Sequence, residues 1–337
     1  MSISKTQEMV RSFNEKPVID TGVMNRIPFF SVCIPTYNRA FSLPTAIESV
    51  LAQDFTDFEL VICDNASNDN TEEVVKNYRD ERIRYVRYKD LVSMYANHNR
   101  CIELAQADWL IFLHSDDEFE KGSFSFYWNS IKTVQNIDIF YSANQVHNSI
   151  ANWMNGAAYH YIVEKPHQLY RYPAGTPSGA VYRTDVLRQT RFNEKSICAD
   201  LDILIKITKQ NHKIAIVNQS IIQIGTNAAN RYTNTWHLSG YFIKDVSECL
   251  MDNLDDKIFQ DILFDLKNWT SRQISLLMLF FTYQRRLDLV EKMEEEISDK
   301  SYRKKREYRH VLVAKLLGNT LYKFLYSTSK KLRTLSI

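Results

Sequence analysis

The sequence predicts an α/β fold, a mainly parallel sheet flanked by helices, followed by a helical C-terminal extension. Three observations carry this. Short apolar runs rich in β-branched and aromatic residues occur at 29–35, 59–63, 83–88 and 109–113. Stretches of helical periodicity separate them, the spacing of βαβ units whose crossovers make consecutive strands parallel. From His237 onward the strand-like runs stop and amphipathic helical stretches take over.

Taken in order, residues 1–26 are polar and read as a loose leader. Phe29 to Pro35 reads as a buried strand ending in the polar loop Pro35-Thr36-Tyr37-Asn38-Arg39. Ser42 is placed to cap the next helix, with Pro44 in its first turn. Glu59 to Cys63 is the second strand, ending at Asp64-Asn65-Ala66-Ser67, and Asn70 with Glu73 reads as a capping pair. Ile83 to Tyr88 is the third strand, Tyr95 to Gln106 a helix, and Trp109 to Leu113 the fourth strand, stopping at Ser115-Asp116-Asp117. Further strands are expected at 137–141, 180–183, 214–217 and 221–224, with a helix opened by the segment Ser196–Asp202 and running through Ile207. Helices are expected at 237–252, 256–282, 285–297 and 303–328.

Composition narrows the function. Hydrophobic residues at 45% and charged residues at 24% are ordinary for a globular protein. Glycine is scarce, with 8 in the chain, and neither GxGxxG nor GxxxxGK[ST] occurs, so dinucleotide and P-loop readings lose support. Five cysteines without a CxxC pair fit reduced thiols in a cytoplasm. No secretory leader and no apolar run of about 18 residues is found. The net charge is +2, yet the end of the chain carries ten basic residues from Arg303 to Arg333 against the single acid Glu307.

In a parallel sheet, ligands bind at the carboxyl ends of the strands. Those ends carry Pro35-Thr36-Tyr37-Asn38, Asp64-Asn65 and Asp116-Asp117, so three polar clusters converge on one crevice. Adjacent carboxylates at the end of a buried strand are costly unless a cation neutralises them, and a hard divalent ion shared with a phosphate is the usual solution.

The stretch FSVCIPTYNRAFSLPTAIESVLAQDFTDFELVICDNASNDNT, followed by ADWLIFLHSDDEF, resembles the family 2 glycosyltransferases with the GT-A fold, a Rossmann-like sheet. The likeness covers roughly residues 29–225. It implies an inverting enzyme of the bacterial surface-polysaccharide type that uses a nucleotide-sugar, UDP-sugar first, with Mn²⁺ or Mg²⁺. It places Pro35, Thr36 and Tyr37 at the base and ribose, Asp64 and Asn65 at the base, Asp116 at the ribose and Asp117 on the metal. Asn97 and Asn99 resemble positions near the nucleotide. His114 stands where the metal motif has an acid and is read as structural. Phe192-Asn193-Glu194 matches the segment before the catalytic base, which makes Asp200 the general base and Asp202 its runner-up. Arg231 and His237 lie in a loop rich in Asn and Thr, where a clamp on the diphosphate and a plain surface role both stay open, the surface role being the commoner one for such residues.

The resemblance, with the change in character near 235, gives a catalytic domain at 27–235, with a nucleotide-sugar half at 27–120 and an acceptor half at 121–235, and a helical region at 236–337. The acceptor would be a glycan or a lipid-linked saccharide. The basic tail suits either docking on an anionic membrane surface, which would make the protein peripheral on the inner face, or an ordinary helix packed on the catalytic domain or another subunit. Nucleic acid is not expected, since no such fold signature accompanies the tail. The long helices leave room for a homodimer. Two alternatives stay open: an inactive homologue that binds sugar-nucleotides, and a nucleotidyltransferase.

Overall fold

The computed structural model describes residues 16–22, 24–142, 160–163, 165, 167, 177–196, 199–217, 219–225, 249–266, 269 and 271–317. The chain divides into two compact units, Met1–Ile162 with Gly175–Glu194 and Lys213–Gly225, and Val163–Ala174 with Lys195–His212 and Thr226–Ile337. The boundary expected near 235 lies outside the described residues, as do Arg231 and His237.

The first unit is built on a sheet. Its strands are β1 (Ile19–Asp20), β2 (Phe30–Thr36), β3 (Phe58–Asp64), β4 (Ile83–Arg87), β5 (Trp109–Phe112), β7 (Ile139–Ser142), β8 (His160–Val163), β9 (Val181–Arg183) and β10 (Ile214–Val217), in the order β1-β4-β3-β2-β5-β9-β7-β10-β8. Strands β2, β3, β4 and β5 run parallel, as do β7 and β10. β9 is antiparallel to both β5 and β7. β3 is buried along its whole length and β2 at all but Pro35, which is why both read as continuous apolar runs. Pro35 is tolerated because the β2–β5 ladder ends at Cys33 and Phe112, before the residue that lacks an N–H.

Helices α1 (Leu43–Leu51), α2 (Thr71–Lys76), α3 (Met94–Leu104), α4 (Ser123–Thr133) and α5 (Thr184–Thr190) complete this unit. Phe58 and Phe119 meet Phe124 of α4 edge-on at 5.3 and 5.0 Å, in a core shared with Phe30, Ile34, Ile47 and Val50.

Several local expectations are corrected. The leader holds an edge strand, β1, antiparallel to β4 with Ile19 opposite Arg87. Ser42 makes no capping bond, and the N–H groups of Ser42 and Leu43 both go to the carbonyl of Arg39. Asn70 does not cap α2 either. Asp69, one residue earlier, accepts from the N–H of Thr71 and from that of Ala40, because a carboxylate can serve two loops at once. The run at 221–224 does not join the main sheet. It forms β11 (Ile222–Gln223), antiparallel to β6 (Glu118–Phe119).

The second unit contains α6 (Ala199–Lys209), α7 (Asp256–Asp265), α8 (Ser271–Tyr283), α9 (Leu287–Glu296), a 3₁₀ turn (Lys300–Lys304) and α10 (Arg306–Leu317). The single helix expected at 256–282 is two, with buried Trp269 between them. The helix expected at 303–328 begins as the 3₁₀ turn, and residues 318–337 lie outside the described residues. Met278, Phe281, Val290, Met293, Tyr302 and Val311 are buried in this unit. Glu294 accepts from the hydroxyl of Tyr308 at 2.7 Å and pairs with Lys315 at 3.1 Å. Among the described residues, no helix is long and apolar enough to cross a membrane.

Candidate active site at the strand ends

β3, β2 and β5 are adjacent and parallel, so their carboxyl ends share one edge of the sheet. Thr36 lies directly opposite Asp64 in the β2–β3 register. The structure therefore brings together the Pro35-Thr36-Tyr37 loop, the Asp64-Asn65 loop and the segment 114–117.

That last segment forms a tight turn. The N–H of Asp117 donates to the carbonyl of His114 at 3.0 Å, and the N–H of His114 donates to Oγ of Ser178 at 2.9 Å. Asp117 is buried, while Asp116 and His114 are half-buried. One ligand atom from each of His114, Asp116 and Asp117 can be chosen so that all lie within 4.8 Å of one another. Two carboxylates and an imidazole nitrogen are a donor set that fits a divalent ion. Oδ1 of Asp117 also accepts the main-chain N–H of Gly225 at 3.0 Å.

The loops after β2 and β3 hold each other. The N–H of Asn38, a residue at φ 51°, donates to Oγ of Ser67, and the N–H of Asn68 donates to Oδ1 of Asn38. Tyr37 projects with 40% of its surface exposed, so its ring face is available to a flat ligand. Thr36 is buried, and its hydroxyl has no hydrogen-bond partner.

Asp64 and Asn65 are engaged within the protein. Asp64 is fully buried and accepts from the N–H of Ser67 at 2.8 Å and from the hydroxyl of Tyr85 at 2.5 Å. Burial, and then the bond to Asp64, push the ionisation of that hydroxyl well above its ordinary value. The amide of Asn65 pairs with both main-chain groups of Val92 at 2.9 Å, and its oxygen also accepts from Arg100.

Helix α3 carries an unusual run of buried polar residues, Asn97, His98, Asn99 and Arg100. Each has a partner. Asn97 donates to the carbonyl of Cys63 at the end of β3 and accepts from its thiol. Asn99 pairs with both main-chain groups of Phe192 at 3.0 Å and donates to the carboxylate of Glu194 at 2.9 Å, which ties down the Phe192-Asn193-Glu194 segment. His98 bonds the carbonyl of Met94, and burial together with His114 holds its pKa at about 3. Arg100 lies 4.1 Å over the ring of Tyr88.

Asp200 belongs to the second unit, in the first turn of α6, where one carboxylate oxygen accepts the N–H of Leu201 at 2.9 Å. Asp202 is buried, ion-paired with Lys206 and bonded to Nδ2 of Asn253 at 3.1 Å. Cys33, Cys63, Cys101 and Cys249 are free and buried.

Sequence reasoning missed Gly225, His98 and Ser178. Gly225 had one signal available: a glycine directly after a short strand is a place where backbone approaches backbone. The other two act through tertiary contacts that no local pattern encodes.

Residues 31–190 match the family described as glycosyl transferase family 2. Among curated relatives, the chain is 38% identical over 104 residues to a GalNAc(5)-diNAcBac-PP-undecaprenol beta-1,3-glucosyltransferase of Campylobacter jejuni. That match covers 29% of this chain and 33% of the relative, so it spans about a third of the relative's length. Among solved structures, residues 1–349 of S. aureus TarS with UDP-GlcNAc align with a TM-score of 0.57 at 18% identity, over 86% of this chain and 92% of that one. The mannosyltransferase PcManGT of Pyrobaculum calidifontis, with GDP-Man and Mn²⁺, aligns with a TM-score of 0.54 at 13% identity, over 98% and 91%. The fold is thus that of the GT-A glycosyltransferases.

Proposed function

We propose, on the match of residues 31–190 to the glycosyl transferase family 2 model, that this chain is an inverting, metal-dependent glycosyltransferase. It moves a sugar from a nucleotide-sugar, UDP-sugar first, to a hydroxyl of a glycan or lipid-linked saccharide. The observation that carries this is the cluster of His114, Asp116 and Asp117 at the strand ends that also present Thr36 and Tyr37. The undecaprenol-linked substrate in the name of the Campylobacter relative supports the acceptor class, and the UDP-GlcNAc bound by TarS supports the donor class.

In this reading Tyr37 stacks on the base, and the buried hydroxyl of Thr36 serves the nucleotide. Asp116 accepts from the ribose hydroxyls. Asp64, Asn65 and Asn97 act by fixing the loops that carry these groups, because their own polar atoms are bonded within the protein. A divalent ion on Asp117 would neutralise the charge that develops on the departing diphosphate. Asp200 takes the proton of the acceptor hydroxyl as that oxygen attacks the anomeric carbon. A single in-line displacement inverts that carbon.

The basic end of the chain is proposed to dock on an anionic membrane surface. Arg303, Lys304, Lys305 and Arg309 are exposed, and so are Leu312, Val313 and Leu316 of α10. Cations beside apolar side chains are the composition of an interfacial element. Co-sedimentation with anionic vesicles should weaken when Arg303, Lys304 and Lys305 are changed to Glu, and unchanged binding would remove the docking proposal.

The test of the enzyme reading is calorimetric titration with UDP, dTDP, CDP and GDP, with and without Mn²⁺, on wild type and Asp117→Ala. Metal-dependent binding of one nucleotide, lost in the variant, is expected. No binding of any of them to folded protein with metal present would overturn the reading.

A further inference from the structure

His98 and His114 form a pair whose geometry fixes which ring nitrogen carries a hydrogen. His98 is buried in α3, and its Nδ1 lies 2.8 Å from the main-chain carbonyl of Met94. A carbonyl oxygen only accepts, so Nδ1 of His98 is the protonated nitrogen and Nε2 presents a lone pair. Nε2 of His114 faces that lone pair at 3.4 Å. Two lone pairs facing each other repel, so Nε2 of His114 carries its hydrogen and donates. In the neutral imidazole, the form that binds a metal, the other nitrogen, Nδ1, is then the one with the lone pair. That atom lies 3.8 Å from Oδ2 of Asp117, the oxygen opposite the one that accepts from Gly225.

An imidazole lone pair and a buried carboxylate oxygen turned toward each other are mutually repulsive unless a cation joins them. Metal-bound histidines commonly donate their second ring N–H to a neighbouring acceptor, which sets the tautomer and the ring orientation. Here the acceptor is another imidazole. Magnesium prefers oxygen ligands throughout, whereas first-row transition ions accept nitrogen.

We propose that His114 is a direct ligand of the divalent ion through Nδ1, that His98 is the positioning residue that presents this nitrogen, and that the nitrogen donor makes the site favour Mn²⁺ over Mg²⁺. The inference rests on the metal-dependent glycosyltransferase reading above.

The test uses the full chain with Mn²⁺ or Mg²⁺ and no nucleotide, read by calorimetry with each ion and, for Mn²⁺, by electron spin-echo modulation, which detects a coordinated ¹⁴N nucleus. Wild type should show ¹⁴N coupling and a preference for Mn²⁺ over Mg²⁺. His114→Gln should lose the coupling, bind Mn²⁺ about tenfold more weakly and lose most of the preference. His98→Phe removes the acceptor and should weaken Mn²⁺ binding by about tenfold, the low end for loss of such a partner. His98→Gln restores an acceptor oxygen and should recover part of the affinity, and thermal melting of each variant separates misfolding from loss of the ligand. Mn²⁺ binding to wild type without ¹⁴N coupling would overturn this inference alone. Unchanged affinity and coupling in folded His98→Phe would remove the role of His98. Failure of wild type to bind Mn²⁺ at all would overturn the underlying reading and this inference with it.

Discussion

The main-chain N–H of Gly225 donates to Oδ1 of Asp117 at 3.0 Å, and a Cβ built on Gly225 would lie 1.6 Å from the carbonyl oxygen of Asp116. The clash is with main chain, so no rotamer change relieves it. Gly225→Ala must therefore move the chain away from the segment that carries Asp116 and Asp117. A displacement of this kind costs roughly 10²-fold in rate even when the reacting groups are intact. We expect such a loss of turnover together with weakened Mn²⁺ binding, measured by steady-state kinetics and calorimetry. Wild-type values for both would show that this close approach does not hold the carboxylates.

Asp64 and Asp117 are both buried acids at strand ends, yet they should fail in opposite ways. Asp64 accepts from Ser67 and Tyr85 and has no surface exposed to a ligand. Asp64→Ala leaves two donors unsatisfied and should lower stability by about 3 kcal/mol, since bonds to a charged acceptor are worth about 1.5–3 kcal/mol each. Asp117→Asn should leave the denaturation midpoint nearly unchanged and abolish metal-dependent nucleotide binding. Chemical denaturation and calorimetry on the two variants separate these effects, and the reverse pattern would exchange their roles.

The strands that position the site were legible because β2, β3 and β5 are apolar runs that end abruptly in polar residues. Buried on both faces, they left a plain one-dimensional signal. The roles of Asp64 and Asn65 were harder to read. A carboxylate and an amide at a strand end suit a ligand, but the same atoms also suit Ser67, Tyr85 and the main chain of Val92, and composition does not separate the two uses. Gly225 and His98 were illegible for a different reason. Gly225 matters through a contact 108 residues back along the chain, and His98 looks like any helical residue until His114 is placed beside it. The edge strand β1 was missed because two residues hold no periodicity. It depends on pairing with β4 and on the ion pair of Asp20 with Arg84.

That ion pair makes the edge strand sensitive to acid. The hydrogen bonds from Arg84 hold the Asp20 carboxyl below the ordinary carboxylate range, against a smaller opposing effect of burial. A carboxyl whose pKa is depressed in the folded state adds stability that is fully present above its unfolded value. That stability is lost as the pH falls through the folded one. The protection factors of the amides of Val18 and Thr21, whose N–H groups bond Arg87 and Tyr85, should be high at neutral pH and fall below about pH 4, the ordinary carboxylate value. In Asp20→Asn they should be low throughout. Equal protection in the variant and wild type at pH 7 would show that the ion pair does not anchor β1.

Asp200 and Asp202 sit two residues apart on α6 and offer the sharpest test of the chemistry. Asp202 is committed to Lys206 and Asn253. Asp202→Asn should therefore act on stability, removing the buried carboxylate that pairs with Lys206, and lower the melting temperature. Asp200 starts the helix half-exposed, where a carboxylate can meet an acceptor hydroxyl. Asp200→Asn preserves shape and removes basicity, so it should leave UDP and Mn²⁺ binding intact while kcat falls by about 10²–10⁴-fold, the usual worth of a general base. Nucleotide binding by calorimetry and sugar transfer to an acceptor supply the two readouts. If Asp200→Asn turns over within a few-fold of wild type, the base is another residue. If kcat collapses only together with nucleotide affinity, Asp200 serves the donor site and the proton goes elsewhere.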